Sequence, residues 1–478
     1  RVQSLRKANQ HGEALELALA LGEVGVDAMT GTALAHAYFR GRDYPGATKQ
    51  FEASLGAPAA AKGAPNDLFH YALGTSRTGD YDTAAIIYHR LVDQHPRHAK
   101  ADFASFKLGY LEYDRASLAP AIDRFREHLE RYPGSEHAAE ARWFLARSAW
   151  RLERYDQAEA AWKHLAGGSG GSDLAAGARY WLARLEGRRG DAQAEAEGLR
   201  GVIQAYPVTG YAFYAATRLG WSTPAREAAA PPRDPGILGR RDVVRARALL
   251  DAGFRDWALD ELSALDGAAK GQGRTAALTA AWILLEAGAY KPARALASPH
   301  CTKAWKGGRP EAQQLCRPMP EATLVRAVAG HYGLHPYLPF AIMTAESGLD
   351  PSVTSWAGAR GLMQIMPAEL GRIHADLRGE GPVDPDDLYL PAYNAAMGTT
   401  ELGMKARSLG DTLSHTSLPA IIASYNGGEA AVRRWLGTYE GTPAFDEFAE
   451  DIGYSETRRY VRRVLGYLMA YRWVYGDP

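Results

Sequence analysis

The sequence predicts an all-α fold, a run of stacked helical hairpins followed by further hairpins and a mostly helical C-terminal domain. Three observations predict it. Apolar and small residues recur at a fixed interval through the first half. Within each interval, apolar positions lie three and four apart, the spacing of one helix face. Strict apolar–polar alternation, the mark of a half-buried strand, is scarce throughout.

The interval is 37 residues. Leu34, Tyr71, Leu108, Leu145 and Leu182 keep it (71 − 34 = 37), as do Tyr44, Tyr81, Leu118 and Tyr155. Ala47, Ala84, Ala121 and Ala158 keep it too, and so do the bulky residues Phe51, Tyr88, Phe125, Trp162 and Leu199. Pro96, Pro133 and Pro207 close three of the units. Each unit reads as two amphipathic helices joined by a tight turn such as Gly79-Asp80-Tyr81-Asp82. The small Ala lets the helices approach, and the bulky residue four positions later fills the gap on the same face. One hairpin cannot bury its apolar side alone, so the units must stack. The pattern resembles a tetratricopeptide-type solenoid. In the fifth unit Glu195 stands at the Ala position, which predicts an edge or a joint.

From Thr223 to Pro235 the chain carries Pro224, Pro231, Pro232 and Pro235 and reads as a linker. Helical pattern resumes near Arg241. Hairpins are expected over Ala246 to Leu262 and Ala276 to Leu296, the second turning at Ala287-Gly288-Ala289-Tyr290. The domains expected are helical repeats over 1–222, linker and further hairpins over 223–318, and a C-terminal domain over 319–478. The length fits several domains rather than one core.

Basic and acidic residues balance at 55 each, so no global signal for nucleic acid is present. The run Arg458, Arg459, Arg462 and Arg463 reads as a solvated helix face. No apolar stretch is long enough to cross a membrane, so no transmembrane segment is expected. The sequence opens on Arg1 with no signal pattern, which leads us to expect a processed or trimmed chain. Cys301 and Cys316 are the two cysteines, both in a polar segment between Pro299 and Pro318. A disulfide worth about 3 kcal/mol is the favoured reading, over two unrelated thiols, and it would fit an oxidising compartment. No second ligand pair lies nearby for zinc, and His331, His335 and His374 lack metal spacing, so neither metal nor cofactor is expected.

The candidate chemistry centres on Glu346. It ends the apolar segment Tyr337-Leu338-Pro339-Phe340-Ala341-Ile342-Met343-Thr344-Ala345. Pro336 and Pro339 suit the first turn of a helix, and Leu338, Ile342 and Glu346 recur at i, i+4 and i+8. A carboxyl on an apolar stripe has a raised pKa, because desolvation disfavours its charged form. It can then stay protonated and donate to a leaving oxygen, the task of a glycosidase general acid. The bland alternative is a helix-end carboxylate, solvated or paired with Arg360.

Four motifs follow in order: Glu346-Ser347; Gly361-Leu362-Met363-Gln364-Ile365-Met366-Pro367; Ser424-Tyr425-Asn426-Gly427-Gly428; and Glu456-Thr457-Arg458-Arg459-Tyr460. Together they resemble the motif set of the soluble lytic transglycosylases. That resemblance implies a catalytic domain with a goose-type lysozyme-like fold, preceded by a helical superhelix that closes into a ring in the family. It implies a periplasmic or secreted monomer acting on peptidoglycan glycan strands; the helical repeats leave open whether protein partners bind there. It also implies the reaction: cleavage of the β-1,4 bond between N-acetylmuramic acid and N-acetylglucosamine, leaving a 1,6-anhydro end.

By motif, Glu346 carries over as the acid and then the base. Ser355, Gln364 and Met366 resemble residues lining the glycan groove. Tyr425 matches a tyrosine near the acid and the substrate N-acetyl group, with Asn426 beside it. Glu456 matches a groove glutamate assisting binding, and Tyr460 is a candidate for the same wall. Asn394 and Gly398 match a structural Asn-x-x-x-Gly element. One departure stands out. The family has Ile-Pro-Phe where this chain has Ile452-Gly453-Tyr454, and the glycine is expected to loosen the approach to Glu456. Two other readings compete. One is a lysozyme-like muramidase using water, with Glu456 as the evident second carboxylate. The other is a non-catalytic repeat scaffold with a glycan-binding module.

Overall fold

The computed structural model describes residues 31–477 apart from 170, 225–229, 308–309, 378, 380 and 411–416. Five residues of the proline-rich segment predicted as a linker therefore lie outside the described residues. The chain divides into two compact units, Arg1–Asp191 and Ala192–Pro478.

The first unit is a succession of antiparallel helix pairs: α1 (Thr32–Arg40) with α2 (Tyr44–Leu55), α3 (Pro65–Arg77) with α4 (Tyr81–Gln94), and α5 (Ala99–Asp114) with α6 (Leu118–Arg131). Then come α7 (Ala138–Arg151) with α8 (Tyr155–His164), and α9 (Gly171–Arg188). Each second helix also packs on the first helix of the next pair, so the hairpins stack in chain order. Ala47, Ala84, Ala121 and Ala158 are fully buried, as are Phe51, Tyr88, Phe125 and Trp162. The small-then-large pair thus fills each hairpin seam as its spacing predicts. Gly109 of α5 shows how tight the seam is, since a Cβ there would meet the Phe125 ring at 2.6 Å. Asp43 and Asp80 cap α2 and α4, accepting from the backbone N–H of Gly46 and Thr83 at 2.8 and 3.0 Å.

The second unit opens with α10 (Ala192–Ala205) and α11 (Gly210–Leu219). Glu195 pairs with Arg218 across them, which accounts for a charged residue at a repeat position that is Ala elsewhere. A short α12 (Pro235–Leu238) precedes the hairpin α13 (Arg241–Asp251) with α14 (Arg255–Glu261), and α15 (Leu265–Ala269) follows. The hairpin α16 (Arg274–Glu286) with α17 (Tyr290–Gly307) comes next, then α18 (Pro310–Cys316). Cys301 and Cys316 form a disulfide that ties α17 to α18, with 6.0 Å between their Cα atoms.

The remaining helices are α19 (Ala322–His331), α20 (Leu338–Glu346), α21 (Leu370–Asp376), α22 (Pro391–Leu409), α23 (Ser417–Gly427), α24 (Glu429–Leu436), α25 (Phe445–Asp451) and α26 (Ser455–Tyr475). The long α26 is the spine of this unit and packs against α11, α18, α20, α23 and α25. Extended pairing among the described residues amounts to two isolated bridges, Thr354 with Arg360 and Arg360 with Ile365. The fold is all-α, with a helical solenoid ahead of a mostly helical domain.

One sequence expectation fails on α26. The arginine run is not a solvated face. Arg458 is buried and donates to the Ile452 carbonyl at 2.7 Å. Arg462 lies 3.4 Å from buried Glu450 and donates to the Tyr211 hydroxyl at 2.8 Å. Only Arg459 and Arg463 of the four are exposed. The helix face that Arg458 and Arg462 share is covered by α25 and α11, so those two charges had to find partners there.

Candidate active site

Pro339 sits in the first turn of α20, and Leu338, Phe340, Ala341, Ile342 and Met343 are fully buried, so the helix is anchored along its length. Glu346 is its last residue and emerges half-buried from that apolar base. Arg360, its suspected partner, is engaged elsewhere, 2.6 Å from Asp386. The group on Glu346 is the Tyr460 hydroxyl of α26, which donates to Oε1 at 2.5 Å. Burial pushes the Glu346 pKa above the usual carboxyl range. The Tyr460 hydrogen bond and the Arg463 charge oppose the shift, and the nearby negative charge of Glu401 adds to it. Burial beside this carboxyl also drives the Tyr460 phenol far above its ordinary value, so Tyr460 is a donor throughout the physiological range.

The loop after α20 is built around Asn394 of α22, which is fully buried. Its Oδ1 accepts from the Met363 N–H at 2.8 Å, and its Nδ2 donates to the carbonyls of Arg360 and Leu388 at 2.9 and 2.8 Å. Gly361 is indispensable beneath it. Its φ is +75°, and a Cβ there would lie 2.2 Å from the Leu388 carbonyl oxygen. Gly398 is equally constrained, since a Cβ there would lie 2.4 Å from the Met363 sulfur. The Asn-x-x-x-Gly element therefore holds the loop in place rather than touching a ligand.

Met363 is core, and Met366 is 39% exposed at the loop's rim. Gln364 turns its side-chain amide inward, donating to the carbonyls of Val353 and Gly361 at 3.0 and 2.9 Å. Ser355 closes a tight turn, its Oγ accepting from the Ala359 N–H at 3.0 Å. Tyr425 of α23 donates to the Met363 carbonyl at 2.8 Å, and its pKa is raised by burial and by the charges of Glu401 and Glu346. Ser347 fastens the end of α20 to the same loop, donating to the Leu362 carbonyl at 2.9 Å.

Asn426 is exposed and accepts from the Thr457 hydroxyl at 2.8 Å, linking α23 to α26. Glu456 is exposed, with no hydrogen bond or ion pair to it among the described residues. Gly453 does not loosen this segment. A Cβ there would lie 2.6 Å from the Trp435 indole nitrogen, so close packing fixes the backbone in place of the family's proline.

The structure brings Glu346, Tyr460 and Tyr425 into one cluster and leaves Glu456 at the surface. Glu401, a residue that sequence reasoning missed, completes the cluster. It sits on α22 with its side chain 14% exposed, 3.4 Å from Lys405, and burial raises its pKa as well. Nothing local in the sequence marks it, since an acid four residues before a lysine ordinarily describes a solvated helix face.

This cluster lies largely in a region with known relatives. Residues 323–447 match the family model of the transglycosylase SLT domain. That segment resembles the SLT transglycosylase domain. The soluble lytic murein transglycosylase of Escherichia coli K12 is 38% identical over 137 residues, 29% of this chain and 20% of that protein. The membrane-bound lytic murein transglycosylase C of Actinobacillus pleuropneumoniae is 32% identical over 155 residues, covering 30% of this chain and 42% of its own. The sequence match thus spans about a fifth of the first relative and under half of the second.

Likeness of fold extends much further. An inactive glutamate-to-glutamine mutant of the lytic transglycosylase Slt from Pseudomonas aeruginosa superposes with a TM-score of 0.59 at 21% identity, covering 98% of this chain and 79% of that one. The 70 kDa soluble lytic transglycosylase of Escherichia coli gives 0.52 at 18% identity, covering 99% and 84%. Identities this low carry the all-α solenoid-plus-domain architecture and no more. Tyr460 and Glu456 lie beyond the matched SLT segment, on α26.

Proposed function

We propose that this protein is a peptidoglycan lytic transglycosylase of the cell envelope. It cleaves the β-1,4 bond after N-acetylmuramic acid and leaves a 1,6-anhydro end. The observation that carries this reading is Glu346, half-buried at the end of an apolar helix within the SLT segment, with its pKa raised by burial and its carboxyl oriented by Tyr460. Protonated Glu346 donates to the glycosidic oxygen as the bond breaks. The muramic N-acetyl group shields the cationic carbon, next to Tyr425. Glu346, now a carboxylate stabilised by the Tyr460 hydroxyl, takes the proton of the sugar's own C6 hydroxyl as that oxygen attacks. Because the nucleophile belongs to the substrate, one carboxyl serves both steps, and intramolecular attack outpaces water. Ser355, Gln364, Met366, Asn426 and Glu456 are assigned to the groove wall. Mass spectrometry of digested sacculi tests the reading. Wild type should release anhydro-muropeptides, and Glu346→Gln should lose about 10²–10⁴ in rate. Fully active Glu346→Gln would overturn it.

One observation favours a second reading, hydrolysis by water. Glu401 is a second carboxyl felt by Glu346, where Glu456 is not among the groups acting on it. Reducing ends in the product, lost in Glu401→Gln, would establish a muramidase instead.

A further inference from the structure

Away from the Glu346 cluster, the hairpin α13–α14 carries an open cleft of about 600 Å³ lined by Asp242, Arg245, Leu249, Trp257, Asp260 and Glu261. We propose that this cleft is an accessory glycan-binding shelf, with Trp257 as its platform. The ligand class rests on the polysaccharide substrate proposed above.

The fold does not ask for aromatics here. Ala258 is the fully buried small residue of this hairpin, as Ala47, Ala84, Ala121 and Ala158 are of theirs. Four and one positions before those alanines stand Asp43 and Gly46, Asp80 and Thr83, Ser117 and Pro120, Arg154 and Gln157. Those residues are polar or small, and two of them cap their helices. Before Ala258 the same positions hold Phe254 and Trp257. Phe254 occupies the cap position of α14 and makes no cap. The hairpin exposes two aromatic rings, 50% and 60% open to solvent, at positions where those other hairpins hold no aromatic.

The rings stack nearly parallel, 16° apart with centroids 4.9 Å apart, so Phe254 braces the indole in one orientation. Arg245 lies 2.6 Å from Glu261, and Asp242 lies 2.7 Å from Arg240, which leaves further acceptor positions on each carboxylate. A flat braced indole rimmed by carboxylates and a guanidinium suits a pyranose. The apolar C–H face lies on the ring, and equatorial hydroxyl and amide groups reach the rim. A protein partner would call for a wider apolar surface than two rings. The hairpin is also tied to the SLT end of the unit, since Arg255 donates to the Ala287 carbonyl at 3.0 Å and lies 3.3 Å from Glu321, the residue before α19. A strand held here is held on the same compact unit as the groove.

Fluorescence titration of the full chain carrying Glu346→Gln, with peptide-stripped glycan strands as the probe, tests the proposal. Adding Trp257→Ala should weaken binding about tenfold, as loss of one of two linked contacts does. Asp260→Asn, which leaves the aromatic pair intact, should weaken it in the same direction. In the active protein, Trp257→Ala should slow cleavage of intact sacculi and leave a short soluble muropeptide dimer unaffected. Unchanged affinity in both variants, or binding that appears only when stem peptides or another protein are present, overturns the shelf. If strands bind through Trp257 while wild type cleaves nothing, the shelf stands and the proposed reaction falls. If wild type cleaves and Trp257→Ala matches it on both substrates, the reaction stands and the shelf falls.

Discussion

The Tyr460 hydroxyl and the Glu401 carboxylate act on Glu346 in opposite senses, which gives two substitutions with opposite signatures. The tyrosine stabilises the charged form and the glutamate opposes it. An acid that must be protonated loses activity as pH rises through its pKa, so the alkaline limb of kcat/KM reports Glu346. Tyr460→Phe should move that limb to higher pH and lower the rate about 10- to 100-fold, the worth of a hydrogen bond to a charged group. Glu401→Gln should move the limb to lower pH. Profiles measured on one muropeptide substrate decide both, and a limb unmoved in either variant removes that residue from the site. Glu346 was legible in the sequence because its helix is apolar to the end and four motifs point to it. Its partners were not. Tyr460 is 114 positions away and Glu401 is 55 positions away, and no local pattern reports which side chains a tertiary fold will bring together.

At the scale of helices and hairpins, the solenoid was the most legible part. A buried alanine and a bulky neighbour must recur wherever identical seams recur, and they do so at a constant interval. The seams also enclose a titratable group. His128 of α6 is fully buried, 3.8 Å from Asp102, and burial lowers its pKa to about 4 against the pull of that carboxylate and with the help of His137 and Arg142. Its folded pKa lies below its unfolded value near 6.5, so the unfolded chain binds more protons between the two. Stability is therefore full above about pH 6.5 and falls as pH drops towards 4, by on the order of 1–3 kcal/mol from this group. Thermal melts from pH 7 to 4.5 should show the loss, and His128→Phe should flatten it. A slope unaltered by that change would assign the acid sensitivity elsewhere. The arginine run on α26 shows what the pattern cannot supply. Charged residues read as surface until a covering helix is known, and here α25 and α11 cover two of the four.

Over the whole chain, charges cancel at 55 of each sign, so any attraction to a charged polymer falls to local groups rather than to a global field. The described residues contain no helix long and apolar enough to cross a membrane. Covalent reinforcement is confined to one place. The disulfide between α17 and α18 precedes Arg317 and Pro318, whose carbonyls accept from the Tyr475 and Tyr471 hydroxyls of α26 at 2.8 Å each. Opening that loop should cost about 3 kcal/mol in the chain-entropy model. A reductant should lower the melting temperature of wild type and leave Cys301→Ala/Cys316→Ala unmoved. Equal melts with and without reductant in wild type would mean the crosslink bears no stabilising role.

The phenol resting on Glu346 also makes the protein its own indicator. A fluorinated tyrosine at position 460 would place a magnetic nucleus one bond network away from the acid. Its resonance would move as that proton leaves and move again when a sugar displaces the contact, so protonation and occupancy could be followed separately, without turnover, in a single tube.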